Sequence, residues 1–349
     1  MHENFFLYNM QQPKVLIIYT GGTIGMVNDP NSGTLTAFNF DHLYQQIPEI
    51  KRLNVRLETI SFDKPVDSSE MNPNYWKQIA EIIFEHYTAY DGFVILHGSD
   101  TMAYTASALS YMLQGLSKPV ILTGSQLPID EIRTDGRENV LTSIEIAAAK
   151  HSDGSSRIKE VAIYFENNLF RGNRTTKISA NAFKAFSSPN YPPLATAGIH
   201  INYQKGLQNE KQTLQLFTAL DNRVALLKIF PGFNASVYQS LFDISKIKGI
   251  ILETFGAGNA PTDKSFDDLI ERYIADGGIV LKIKQCNSGS VEQGLYQTSS
   301  FFQKVGVIGG GDMTTEAAVC KFMYALGNSL SQEEVKKILA RNISGELTM

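Results

Sequence analysis

Cysteine is scarce in this chain of 349 residues, which contains only Cys286 and Cys320. Two cysteines do not make a disulfide framework. Neither Cys-x-x-Cys nor His-Glu-x-x-His occurs, so we expect no structural zinc ion and no zinc-protease site, and we expect no metal. This cysteine usage is typical of a protein from a reducing compartment.

Long hydrophobic runs are also missing. Every apolar run is far shorter than the roughly 20 residues that cross a bilayer. The first residues read MHENFFLYNMQQPK, which contain an early acid and no small-residue cleavage site. This is not the pattern of a secretory signal. We therefore expect a cytoplasmic protein that does not insert into a membrane.

An excess of positive charge is the third absence. Lys and Arg number 31 against 35 Asp and Glu, which gives a formal net charge of −4. A nucleic-acid-binding protein needs a basic face to neutralise phosphates, so nucleic acid is not an expected partner. The composition, with 43% hydrophobic residues, is that of a globular protein. At about 150 residues per domain, the length indicates roughly two domains.

Short β-branched runs alternate with helical patterns, which predicts two α/β domains. Runs that are apolar on both faces, as in buried parallel strands, cover residues 15–19, 93–96, 120–122 and 161–165, and later 225–229, 250–252 and 279–281. One helix begins at Asn72-Pro73, and a second follows Asp100 with one apolar face, formed by Met102, Ala106, Leu109, Leu113 and Leu116. The polar stretch 205–222 is the predicted linker. It would separate a first domain, 1–204, which carries the candidate functional residues described below, from a second, 223–349.

Ligands of open α/β sheets bind beyond the carboxyl ends of the strands, so the residues after each apolar run are informative. The first strand is followed by TGGTIGM at 20–26, which fits neither Gly-x-Gly-x-x-Gly nor a phosphate-binding P-loop. Its two glycines allow a tight turn that exposes the Thr23 hydroxyl. A plain turn, in which this threonine bonds its own backbone, explains the motif equally well.

Three further polar segments have the same ambiguity. Ser99 and Asp100 follow the strand at 93–96 and suit either a helix cap or a carboxylate that orients a lysine and a hydroxyl. Lys177, which follows the strand at 161–165, would supply that lysine or would be an ordinary surface residue. The segment Asp67-Ser68-Ser69 suits a bound amino acid or a capping loop. His97 fits a buried structural histidine better than a base.

Taken in order, these segments resemble the asparaginase family, most closely its bacterial cytoplasmic type I members. The resemblance covers essentially the whole chain. It rests on TGGTIGM at 20–26, VDSSEM at 66–71, GFVILHGSDTMAYTASALSYML at 92–113, KPVILTGSQLP at 118–128, LFRGNRTTK at 169–177, SSPNYPPL at 187–194, FGAGNAP at 255–261 and GVIGGGDMT at 306–314.

The resemblance implies a larger N-terminal flavodoxin-like domain and a smaller C-terminal Rossmann-like domain, assembled as a homodimer or homotetramer. It implies hydrolysis of L-asparagine to L-aspartate and ammonia through a threonine nucleophile and an acyl-enzyme, with no cofactor. Transferred position by position, the catalytic residues are Thr23, Ser99, Asp100 and Lys177. The substrate-binding residues are Asp67, Ser68, Ser69, Ser99, Asp100 and Asn259, of which Asn259 approaches the neighbouring subunit's site.

The chain departs from the family pattern in three respects. Ser99 replaces a threonine and keeps its hydroxyl. In the loop 27–35, which we expect to act as a lid, Thr34 stands where many relatives have a tyrosine that relays protons. Tyr296 is a candidate substitute for that tyrosine. Glu253 and the Lys284-Gln285-Cys286 segment replace an arginine and a Thr-Gln-Cys that bind asparagine allosterically in some type I enzymes. This predicts that the allosteric site is lost or altered.

Two other functions compete with the asparaginase. One is the asparaginase-like subunit of a tRNA-dependent amidotransferase, which usually carries an extension before the TGGT motif, whereas only 19 residues precede Thr20 here. The other is a non-enzymatic amino-acid sensor. The intact set of Thr23, Asp100 and Lys177 argues against a sensor, since binding alone needs no nucleophile.

Overall fold

The first domain is built around a sheet whose central strands are those predicted from the apolar runs. The structure is a computed structural model and describes residues 12–25, 40–204, 213–291 and 297–348. Its strands in the first domain are β1 (Lys14–Tyr19), β2 (Arg56–Ser61), β3 (Gly92–Leu96), β4 (Leu113–Gln114), β5 (Val120–Thr123), β6 (Val161–Phe165), β7 (Asn168–Arg171), β8 (Thr176–Lys177), β9 (Phe186–Ser187), β10 (Ala195–Ala197) and β11 (Ile201–Tyr203). The helices are α1 (Phe40–Gln46), α2 (Pro73–His86), α3 (Met102–Met112) and α4 (Gly136–Ala148).

The strand order of the main sheet is β11-β10-β7-β6-β5-β3-β1-β2. Its parallel part, β2-β1-β3-β5-β6, has the 2-1-3-4-5 order of flavodoxin-like folds, as the resemblance implies. Tyr19 pairs with Leu96, and Leu96 pairs with Thr123, so the carboxyl ends of β1, β3 and β5 lie level. The segments that follow these three strands therefore start at one edge of the sheet.

An antiparallel extension of this sheet was not predicted. The β6 and β7 strands form a hairpin whose turn residues, Glu166 and Asn167, both have positive φ (43° and 63°), as a two-residue hairpin turn requires. The chain therefore turns back after β6 instead of continuing into a helix. Lys177 does not directly follow a parallel strand as expected; it lies in β8, beyond β7.

The capping signal at Asn72-Pro73 correctly predicted the start of α2, whereas neither Ser99 nor Asp100 caps α3, whose N-cap is Thr101. Asn72 caps α2 by accepting a hydrogen bond from the Asn74 N–H, with Pro73 at the first helical position. The predicted end of the helix after Asp100 is wrong, because α3 stops at Met112 and Leu113 begins β4. Burial explains the misleading pattern, because α3 is enclosed on nearly all sides, including Ser107 and Ser110, and presents no distinct polar face.

The second domain contains a four-stranded parallel sheet, in the order β13-β14-β15-β16. Its strands are β13 (Val224–Lys228), β14 (Gly249–Thr254), β15 (Ile279–Lys284) and β16 (Ile308–Gly309), preceded by β12 (Gln215–Leu216). Its helices are α5 (Lys264–Ala275), α6 (Gln297–Lys304), α7 (Thr315–Asn328) and α8 (Gln332–Ala340). The predicted two-domain α/β organisation is thus confirmed, and the first domain is the larger.

Two segments join the domains. The described part of the predicted linker packs on the first domain, where β12 pairs with β4. Residues 342–348, here called the C-terminal strap, return from α8 to the first domain, where Asn173 donates a hydrogen bond to the Ser344 carbonyl. Residues 205–212 lie outside the described part of the chain, so the boundaries 1–204, 205–222 and 223–349 stay a prediction.

Candidate active site

Three loops meet at the carboxyl edge of the main sheet because glycines let their backbones touch. A Cβ atom added to Gly22 would lie 2.4 Å from the Gly98 nitrogen. One added to Gly98 would lie 2.6 Å from the Ser68 Oγ. No side chain larger than hydrogen fits at either position. The loop that carries Thr23 is therefore pressed against the one that carries Ser99, and that one in turn against Ser68.

Thr23 opens a single 3-10 turn, Thr23–Gly25, directly after these contacts. Gly21 and Gly22 have φ values of +133° and +88°, which only glycine adopts readily. Gly25 is equally confined, since an added Cβ would lie 2.3 Å from the Tyr19 hydroxyl. The glycines thus allow the predicted tight turn, and they leave Thr23 partly exposed at the edge of the sheet.

Lys177 lies against both predicted partners from the second loop. Its Nζ is 2.6 Å from the Asp100 Oδ1 and 2.8 Å from the Ser99 Oγ. The lysine side chain is 16% exposed, while that of Asp100 is 67% exposed. The lysine is thus shielded, and the carboxylate keeps a free side toward solvent. This contact joins residues 77 positions apart, so Lys177 is not an ordinary solvated surface lysine.

Gln126 completes the surroundings of Ser99 and is a residue that the sequence reasoning missed. The Ser99 hydroxyl accepts from Lys177 and donates to the Gln126 Oε1, 3.1 Å away. The Gln126 amide nitrogen donates to the carbonyls of Ala180 (3.2 Å) and Ala182 (3.0 Å), which holds the side chain in one orientation. The signal was available, because Gln126 follows the end of β5 at the same edge of the sheet.

The segment 67–69 is both a capping loop and a side of the site. The Asp67 carboxylate accepts the Ser69 N–H at 2.8 Å and caps a 3-10 turn, Ser68–Glu70. Hydrogen bonds from the backbone and then the side chain of Ser69 hold the pKa of Asp67 below its usual value, so Asp67 stays an anion. Thr101 ties this loop to the second one by donating to the Ser68 carbonyl at 2.6 Å.

The remaining predicted residues lie elsewhere or outside the described part. Asn259 belongs to the second domain, in a tight turn after β14 where its N–H and the Phe255 carbonyl are 2.9 Å apart. Thr34, the loop 27–35 and Tyr296 fall outside the described residues. His97 is fully buried, as expected of a structural histidine.

A cavity of about 180 Å³ lies between the two domains, near the positions that differ from the type I regulatory motif. Thr176, Lys284, Cys286 and Glu316 are among the residues that line it. Glu253 accepts a hydrogen bond from Thr315, which also lines the cavity, at 2.7 Å. The carboxylates of Glu253 and Glu316 thus lie beside or within this cavity.

Two other kinds of feature are absent from the described residues. No group of three or more His, Cys, Asp or Glu side chains there could hold a metal ion. No described helix has both the length and the apolar character needed to cross a membrane.

A flavodoxin-like domain with a lysine–carboxylate–hydroxyl cluster at its strand ends, joined to a smaller parallel α/β domain, defines a class of two-domain α/β hydrolases. The sequence matches the family model for the asparaginase N-terminal domain over residues 14–209 and that for the glutaminase/asparaginase C-terminal domain over residues 223–339. The chain therefore belongs to the asparaginase family.

Individual relatives agree with this assignment. The chain is 42% identical over 343 residues to L-asparaginase 1 of Escherichia coli, covering 97% of this chain and 99% of that one. The crystal structure of L-asparaginase I from Vibrio cholerae superposes with a TM-score of 0.89 at 40% identity, covering 97% of this chain and all of that one. The L-asparaginase of Thermococcus kodakarensis has a TM-score of 0.88 at 32% identity, with 96% and 99% covered.

Proposed function

We propose that this chain hydrolyses L-asparagine to L-aspartate and ammonia. The observation that carries the proposal is the contact of Lys177 with both Ser99 and Asp100, beside the turn that bears Thr23. The similarity to L-asparaginase 1 over nearly the full length of both chains supports the same reaction.

Thr23 is the proposed nucleophile. Its hydroxyl oxygen attacks the side-chain carbonyl carbon of asparagine, and the C–N bond then breaks to leave an aspartyl ester on Thr23. The hydroxyl proton leaves with the amide nitrogen, which departs as ammonia. Amide N–H groups next to Thr23 and Ser99 would stabilise the oxyanion that develops, typically by a few kcal/mol per donor.

Ser99, Asp100 and Lys177 serve the second half of the reaction. Lys177 and Asp100 polarise the Ser99 hydroxyl, which positions a water molecule against the ester carbon. The water oxygen forms the new C–O bond and the ester bond to Thr23 breaks. A proton of the water is transferred to the Thr23 oxygen, which restores the hydroxyl. Lys177 is well suited to this role because its surroundings hold it against two partners at once.

Asp67, Ser68 and Ser69 hold the amino-acid part of the substrate. The ionised Asp67 and the half-free carboxylate of Asp100 pair with the α-ammonium group, and the serine hydroxyls and backbone N–H groups take the α-carboxylate. The enzyme is cytoplasmic and assembles as a homodimer or homotetramer, in which Asn259 of one subunit approaches the site of its neighbour.

A coupled ammonia assay with asparagine and glutamine tests the proposal. We expect Thr23→Ala and Lys177→Met to lower kcat by about 10³-fold or more, as removal of a nucleophile or its partner does in other hydrolases. Lys184→Met removes an exposed lysine seven residues further along and serves as the matched control. Thr23→Ser keeps the hydroxyl and should retain measurable activity.

Failure would take recognisable forms. Asparagine binding without ammonia release by the wild type would favour the sensor function. Co-purification with a kinase-like partner and tRNA would favour the amidotransferase subunit. Ammonia release that survives Thr23→Ala would refute the assigned nucleophile while leaving the reaction in place.

A further inference from the structure

His97 lies at the point where the sheet ends and the catalytic loop begins. Its backbone N–H donates to the Thr123 carbonyl at 2.9 Å, which continues the ladder between β3 and β5. The next residue, Gly98, already belongs to the loop that touches Gly22 and Ser68. Beyond this last ladder bond, the sheet no longer fixes the direction of the backbone.

The His97 ring continues the hydrogen bonding from that point. Its Nδ1 is 2.6 Å from the carbonyl oxygen of the next residue, Gly98. On its other side, Nε2 is 2.9 Å from the Thr105 Oγ1, which in turn accepts the indole N–H of Trp76 at 3.0 Å. All three side chains are at most 5% exposed.

The partners determine which nitrogen carries the proton. A carbonyl oxygen can only accept, so His97 Nδ1 must be the donor to Gly98. Burial lowers the pKa of His97 to about 4, which keeps the ring neutral at pH 7 and leaves Nε2 without a proton. Nε2 then accepts the hydrogen of the Thr105 hydroxyl.

The Gly98 carbonyl belongs to the peptide group that also contains the Ser99 N–H. A trans peptide is planar, so fixing its C=O also fixes its N–H, which points the opposite way. No acceptor in the described part of the chain takes the Ser99 N–H. This amide lies beside the Ser99 hydroxyl and next to the Gly98 backbone that contacts the Thr23 loop.

We propose that His97 is a positioning residue for amide hydrolysis, whose ring holds the Gly98–Ser99 peptide so that the Ser99 N–H stays directed at the reacting carbonyl. The inference rests on the proposed function. His97 is buried and does not contact substrate; it acts through the peptide bond that follows it. Trp76 and Thr105 hold the ring in the one orientation that presents Nδ1 to Gly98.

Two substitutions separate this role from simple packing. In His97→Asn, the amide nitrogen takes the place of Nδ1 and keeps the bond to Gly98, while the Thr105 bond is lost. In His97→Gln, the amide takes the place of Nε2 and keeps Thr105, while the Gly98 bond is lost. Each variant loses one buried hydrogen bond and part of the ring volume, so both should melt at similarly lowered temperatures.

Activity should differ between them. We expect kcat of His97→Gln to fall by roughly 10²-fold, as happens when one donor to an oxyanion is lost or misplaced, with KM changed by less than about threefold. His97→Asn keeps the bond to Gly98, so its kcat should lie within about threefold of the wild-type value. Tyr111→Phe, which removes a buried hydroxyl bonded to the Ala317 carbonyl at 3.2 Å near the far end of α3, controls for loss of a buried hydrogen bond alone.

Equal kcat values for the two His97 variants, or losses that simply follow the melting temperatures, would overturn the inference. A wild type that releases no ammonia would instead refute the proposed function, so the two failures are distinguishable.

If both variants fail to fold, nitrogen-15 NMR of wild-type histidines provides a second test. We expect one ring that carries its proton on Nδ1 and does not titrate between pH 5 and 8. A full set of rings that titrate in this range would contradict the hydrogen bond to Gly98.

Discussion

Arg174 and Asp312 form a buried two-pronged ion pair that connects the two domains. The Nη1 and Nη2 atoms of Arg174 lie 2.9 Å and 2.7 Å from the two carboxylate oxygens of Asp312. Thr348 of the C-terminal strap donates to the same carboxylate. Arg174 lies three residues before Lys177, so this pair and the strap anchor the segment that carries the proposed catalytic lysine.

We predict that Arg174→Gln lowers the free energy of unfolding by about 3–5 kcal/mol, because it leaves the Asp312 carboxylate buried without its partner. Chemical denaturation measures the change. Arg56→Gln breaks an exposed pair with Glu58, 60% and 42% exposed, and should lower the free energy of unfolding far less, because solvent screens an exposed pair. Similar losses in both variants would show that the buried interdomain pair contributes no more to stability than an exposed pair.

The same ion pair predicts that the free energy of unfolding depends on pH. Burial alone would raise the pKa of Asp312, but hydrogen bonds from Arg174 and Thr348 outweigh it and hold this pKa below its usual value. A lowered pKa in the folded state contributes stability above the unfolded pKa of about 3.9, and this contribution is lost as the pH falls through the folded pKa. The stability difference between wild type and Asp312→Asn should therefore shrink below about pH 4; a constant difference would contradict this reading.

Gln126 should matter for catalysis although it has no charge. Its Oε1 accepts the Ser99 hydroxyl, so Gln126→Leu frees that hydroxyl to rotate. We expect kcat to fall by roughly 10–100-fold, with a smaller effect on KM, since misplaced catalytic groups cost this much. Steady-state kinetics measure the loss, and Gln126→Glu, which keeps an acceptor at this position, should lose less.

Ser99→Thr tests the departure from the family pattern. The added methyl group keeps the hydroxyl and restricts its rotamers, so we expect kcat to remain within about threefold of the wild type. Ser99→Ala removes the hydroxyl and should reduce kcat by at least about 10²-fold. If the threonine variant were as inactive as the alanine variant, the site would depend on more than the hydroxyl.

Asp67 should remain charged in moderately acidic solution, because hydrogen bonds from Ser69 lower its pKa. If its carboxylate binds the α-ammonium group, KM for asparagine should stay constant between pH 8 and 5. Asp67→Asn should raise KM throughout this range. If KM of the wild type rises steadily between pH 7 and 5, a group other than Asp67 binds the α-ammonium group of the substrate.

Regulation by a second asparagine is predicted to be lost or altered. At the position where the resemblance expects an arginine, Glu253 is buried, accepts a hydrogen bond from Thr315 and pairs with Lys228 at 3.5 Å, so no guanidinium there can take the carboxylate of a second asparagine. We expect a hyperbolic dependence of rate on asparagine concentration. A sigmoidal curve that becomes hyperbolic when Cys286 is replaced would contradict this prediction.

Features that depend on a few neighbouring residues were predictable from the sequence. The central strands are uniformly apolar, and the Asn72 cap and the tight turn at Gly21 and Gly22 can be recognised from neighbouring residues alone. The end of α3 was missed, because its apolar spacing continues through Leu113 and Leu116 after the helix has stopped at Met112. The hairpin after β6 was missed as well, since Glu166 and Asn167 are not a strong turn signal.

The sequence by itself determined which side chains follow the strand ends, because strand burial and helix capping are properties of short segments. Only the tertiary structure decided which of these side chains meet. Lys177 contacts Asp100, which lies 77 positions earlier, and Arg174 contacts Asp312, which lies 138 positions later. The segment that carries Arg174 and Lys177 follows the turn into β7 and runs beside α3. Contacts at such separations depend on the packing of whole elements, which no local preference specifies.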